Sequence, residues 1–142
     1  QSSSVPNCEA DGMASPGETD LDKMLATLHV ERRPGVFTYA AVRAPGSELL
    51  AAAHGVVTEG DLTTLVLPVV AAERAGLPVE LEMAWLSLTV QSSLEAVGLT
   101  AAFSATLGKA GISCNVLAGF HHDHILVPVD RAQQAIDVLT VR

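Results

Sequence analysis

The sequence predicts an α+β fold of two related sandwiches, each an antiparallel sheet with helices on one face. Three observations predict it. Leu86, Leu88 and Val90 alternate with Ser87, Thr89 and Gln91, the period-two signature of a strand with one wet face. Leu99, Ala102, Phe103, Thr106, Leu107 and Ala110 recur at helical spacing, with Thr100, Ser104 and Gly108 opposite. Segments of these two kinds also follow a similar order in the two halves, although the halves show no residue-level repeat.

Taken in order, residues 1–20 carry four serines, Pro6, Pro16 and four acids with no Lys or Arg, a composition that buries little and reads as a tail. The first half is assigned to residues 21–80. Leu21, Met24, Leu25 and Leu28 form one face of a helix that Thr19 or Asp20 can cap. Arg33-Pro34-Gly35 and Pro45-Gly46 are turns, and Val36 to Val42 is rich in strand formers. Leu50 to Thr58 reads as a strand, joined through Glu59-Gly60-Asp61 to another from Leu62 to Leu67. A short helix from Val70 to Ala75 is stopped by Gly76 and Pro78. In the second half, residues 81–142, Gly111 ends the helix begun near Leu99. Ile112 to Gly119 and Ile125 to Val129 are strands, and Asp130 can cap a final helix that buries Ala132, Ala135, Ile136 and Leu139.

Bulk properties exclude several function classes. Hydrophobic residues make up 49% of the 142, enough for a globular core, and the formal charge of −8 disfavours nucleic-acid and anionic-membrane partners. No apolar run approaches the ~20 residues of a membrane span. Cys8 and Cys114 make no disulfide framework, which with the missing secretory signal points to the cytoplasm. Catalytic motifs are absent: there is no phosphate-cradling loop, nucleophile elbow or paired-carboxylate pattern. Cys114 reads as a small packing residue, and His29 and His54 stand alone. His121, His122, Asp123 and His124 form the sharpest cluster. His122 and His124 would share a face of an extended hairpin and could bind zinc or nickel. A polar turn, or a ligand-lining or interface role for one histidine, accounts for the same residues.

The run from Gly98 to Ile112 resembles the signature of the ACT domain, in which a Gly-apolar pair opens the first helix and Ala-Gly-Ile closes it into the second strand. With Ser92 to Val97 before it and Ala118 to His124 after it, the stretch resembles bacterial proteins of uncharacterised function with two ACT-like halves in tandem. The resemblance implies ferredoxin-like βαββαβ sandwiches and a regulatory role, binding an amino acid without catalysis or cofactor and pairing as a homodimer. By position, a ligand would meet the backbone amides at Val97, Gly98 and Leu99, at the positive end of the helix dipole. Ser92 and Ser93 precede them, and Asn115 on the adjacent strand could accept from an ammonium. Val97 stands where the family often has Pro. Ser92 with Glu95 also forms a capping box, which would start the helix earlier and use up those amides.

Overall fold

A computed structural model describes residues 25–89 and 98–140. Its strands are β1 (His29–Arg32), β2 (Phe37–Arg43), β3 (Gly55–Glu59), β4 (Leu62–Pro68), β5 (Met83–Thr89), β6 (Asn115–Ala118) and β7 (Asp123–Pro128). The helices are α1 (Ser47–Ala52), α2 (Val69–Arg74), α3 (Leu99–Lys109) and α4 (Ala132–Leu139), with a 3-10 turn over Val129–Arg131 before α4. The hydrogen-bonded strand order is β3-β4-β2-β5-β7-β6, every pairing is antiparallel, and β1 also pairs with β5.

Strand alternation sets the layers. Leu65 and Leu67 of β4 pack with Ala72 under α1 and α2, while Leu86, Leu88, Ile125 and Val127 pack with Phe103, Leu107, Ala135 and Leu139 under α3 and α4. The alternate residues Val66, Trp85 and Leu126 point the other way and join Phe37 and Met83 in a core on the helix-free face. This inner core exists because the sheet folds back on itself. β3 and β6 lie at opposite ends of the strand order, yet a Cβ on Gly55 would lie 3.5 Å from Leu117 Cδ1 and 3.3 Å from Val66 Cγ2. The hinge is the join of β2 to β5, reduced to the single pair Phe37↔Met83 beside the Pro34-Gly35 bend.

The α+β layering expected of two ferredoxin-like sandwiches is present, and several local expectations are corrected. Leu50 to Ala52 is helical, not strand: Leu49-Leu50-Ala51-Ala52 are strong helix formers, and the strand begins only at Gly55. The second strand of the second half is four residues, not eight, because Ile112 folds back to close α3 through Ile112 N–H to Leu107 O, 3.0 Å. Asp130 lies in the 3-10 turn, and α4 has no side-chain cap. Of the helix expected up to Leu28, Leu21 and Met24 fall outside the described residues. β1 was not foreseen; with its neighbour Leu28 it joins the second half, where it takes the edge of β5 through His29↔Thr89 to Arg32↔Leu86.

A residue-level repeat does exist. Leu65-Val66-Leu67-Pro68-Val69 superposes in role on Ile125-Leu126-Val127-Pro128-Val129. Phe37 pairs with Pro68 as Met83 pairs with Pro128, and the two prolines share φ/ψ near −55°/140° and −54°/137°. Val69 N–H donates to Val36 O at 2.8 Å, as Val129 N–H does to Glu82 O at 3.0 Å. Each proline ends a strand and starts a helical turn, where its fixed φ and missing donor cost nothing. By the same registers Tyr39 is the counterpart of Trp85, and Gly55 of Asn115.

Candidate functional site

The α3 start is built as the sequence suggested. Gly98 is the N-cap with φ 90°, a left-handed conformation that a side chain disfavours, and Ala102 N–H reaches Gly98 O at 2.9 Å. Among the described residues no side chain caps the helix and no acid stands in its first turn, which leaves the amides at its positive end without a side-chain acceptor from those residues. α3 runs from Leu99, and the capping box expected at Ser92 and Glu95 lies outside the described residues. Leu99 is buried in the core, so only its backbone can face a ligand. Ser92, Ser93 and Val97 lie outside the described residues. The first half offers a counterpart at the Pro45-Gly46 turn, which leads into α1 with Gly46 as N-cap, the Pro-Gly pair that the second half lacks.

Asn115 is not brought to this loop. It stands level with Trp85 through Leu126, roughly 13 Å back along the sheet from Thr89 and roughly 10 Å across it. Its side chain instead hydrogen-bonds Tyr39 across the seam between the halves, and burial raises the Tyr39 pKa against the lowering effect of that bond.

The seam holds a second constellation. Trp85, the counterpart of Tyr39, faces His54 beside Gly55, so each half sends an aromatic residue against the start of the other half's second strand. The Trp85 ring lies 5.8 Å from His54, 5.4 Å from Phe37 and 5.4 Å from His124, centroid to centroid. Arg33, whose N–H donates to Trp85 O at 2.8 Å, places its guanidinium carbon 4.2 Å over the indole and donates to His54 Nδ1 at 2.9 Å. Trp85 Nε1–H donates to His124 Nδ1 at 3.2 Å, and Ser87 Oγ lies 2.9 Å from the same nitrogen. Arginine and indole are donors only, so both Nδ1 atoms accept and both rings are neutral with the proton on Nε2. Desolvation, then Arg33, lowers the pKa of each; at His124, His122 lowers it further while Asp123 opposes.

His54 stands alone in the sequence, and nothing local marks it. His124 was grouped with a metal hairpin. Its Nδ1 is engaged by Trp85 and Ser87, the His122 ring lies 6.3 Å away, and no group of three His, Cys, Asp or Glu side chains among the described residues could hold a metal. Cys114 packs half-buried against the second-half core; burial raises its pKa and a bond to Ser104 lowers it.

These histidines predict a pH effect. Unfolded histidine titrates near 6.5, and both native values are lower, so below that pH the unfolded chain binds more protons. Their stabilising contribution is present above about pH 6.5 and is lost as pH falls through the native values. The urea midpoint should drop between pH 7.5 and 5.5, and drop less in His124→Gln; an equal drop in the variant would refute the assignment.

Two ACT-domain family models match the chain, one over residues 80–141 and one over 16–84. No curated protein sequence matches it. Among solved structures, a Vibrio cholerae protein of unknown function, described as a possible transport protein, is 38% identical with a TM-score of 0.77, covering 85% of this chain and 94% of its own. The aspartate kinase of Clostridium acetobutylicum aligns with a TM-score of 0.58 at 11% identity, over 80% of this chain and 33% of the kinase. Aspartokinase III of E. coli, solved with aspartate and ADP, aligns at 0.53 and 15%, over 79% and 32%. At these identities the kinases share the fold alone.

Proposed function

The chain belongs to the ACT-domain family, and from that premise we propose that it is a regulatory protein that binds an amino acid and catalyses no reaction. The observation that carries this reading is the α3 start: a left-handed glycine with, among the described residues, no side-chain cap and no first-turn acid. Such a terminus favours a carboxylate. In the proposal Ser92, Ser93 and Val97 complete the loop around Gly98 and Leu99, and Asn115 would reach a ligand there only from a second copy of the chain. A homodimer is part of the proposal. β3 is an edge strand exposing Val56 and Val57, which a second chain could cover. The proposed setting is the cytoplasm; no helix among the described residues is long and apolar enough to cross a membrane.

A thermal-shift screen of the proteinogenic amino acids tests the reading. A ligand at 100 times its dissociation constant adds ~2.7 kcal/mol, which for a chain of this size raises Tm by roughly 5–10 °C. Gly98→Asp, which strains the left-handed position and adds a negative charge, should lower the shift, and an unchanged shift would end the assignment to this loop. Light scattering on the same samples should give twice the chain mass. A flat screen would end the amino-acid assignment, and a monomer would end the dimer.

A further inference from the structure

The first half packs on the helix-free face of the second around Trp85, Leu126 and Leu117. Beyond them this face opens into a cleft of about 170 Å³ lined by Glu31, Arg32, Arg33, Pro34 and Ser87. Glu31 and Ser87 are paired across β1 and β5, so they share a face, and Ser87 is tied to His124. Arg33 is the unusual member. One side of its guanidinium lies on the indole and one nitrogen is spent on the neutral His54, yet among the described residues it meets no carboxylate. This happens in a chain of net charge −8, where acceptors are plentiful. A guanidinium held flat by stacking, with donors left over, is pre-organised for a planar bidentate anion. His54 carries its proton on Nε2 and adds a donor to the same neighbourhood.

We propose that this cleft is a binding site for the carboxylate of a small amino acid, with Arg33 taking the carboxylate and Glu31, two positions before it in the chain, taking the ammonium. The volume is below that of drug-sized pockets and suits an amino acid. The site is separate from the α3 loop and stands whether or not that loop binds anything.

Trp85 is the chain's single tryptophan, so its indole N–H resonance and fluorescence report on the ring against which Arg33 stacks. Titrations with glycine, acetate and methylammonium chloride, against sodium chloride at equal ionic strength, separate the roles. Glycine and acetate should each shift the indole resonance saturably, glycine at lower concentration, and methylammonium should not. Arg33→Gln should weaken glycine binding by at least about tenfold, the loss of one charge-assisted pair. If that variant fails to fold, Arg33→Lys, which keeps the charge without the planar fork, should still weaken binding. Glu31→Gln should bring glycine down to the level of acetate. Gly98→Asp should leave all of these titrations unchanged, which separates failure here from failure at the α3 loop. No saturable shift with glycine or acetate to about 50 mM, a weaker affinity than any functional site would have, overturns the proposal. So does unaltered binding in the Arg33 variant, and glycine binding no tighter than acetate overturns the assignment to amino acids.

Discussion

Leu28→Ala is expected to lower the unfolding free energy by about 2–5 kcal/mol, the usual cost of emptying a closed core position. Leu28 is 1% exposed, in one core with Leu86, Leu88 and Phe103, although more than fifty residues of chain separate it from all three. Leu50, at 43% exposure on α1, serves as the contrast, and truncating it should cost under about 0.5 kcal/mol. Urea denaturation at constant pH gives both numbers. The comparison tests whether the segment before the first half is a structural part of the second. Excising everything up to Arg32 should go further, because it bares the hydrogen-bonding edge of β5 from Leu86 to Thr89 and invites aggregation. A cost for Leu28→Ala below about 1 kcal/mol would mean that the chain does not need β1 in place.

Trp85→Ala should cost about 3–5 kcal/mol, and Trp85→Phe about 1–2 kcal/mol. The alanine variant removes the largest side chain of the inner core, 3% exposed and packed among Phe37, Val66, Met83 and Leu126. Phenylalanine keeps most of that area but loses the N–H donor to His124 Nδ1 and weakens the surface on which Arg33 rests. The two variants therefore separate packing from the polar seam. If both cost the same, the Trp85–His124 bond and the Arg33 stack contribute nothing. If the alanine variant is as stable as wild type, the halves are not held by this core.

Much of the fold was legible in local pattern. The alternation over Leu86–Thr89 and the stripe from Leu99 to Leu107 produced β5 and α3, because a buried face forces its period on the sequence. The Gly98 position was legible for a related reason: a left-handed helix start selects glycine whatever surrounds it. The repeat at Pro68 and Pro128 was present in the letters but escaped notice, since its members share a role in register more than an identity. β1 was hidden, as four residues with one apolar side chain carry no period of their own and become a strand only when β5 offers an edge.

The chain by itself determined an α+β molecule of two ACT-like halves, with apolar faces turned to helices and a glycine-capped α3. It read the Ser87 and Thr89 side of β5 as a wet surface. Only the tertiary structure decided that this side is partly a seam, where Arg33, His54, Trp85 and His124 meet from four separate segments. Secondary structure is a local compromise of periodicity and backbone preference, so neighbours in sequence reveal it. A seam between halves is set by where the sheet bends at Phe37 and Met83, and that bend brings together residues up to 91 positions apart, from Arg33 to His124, that carry no mark of one another.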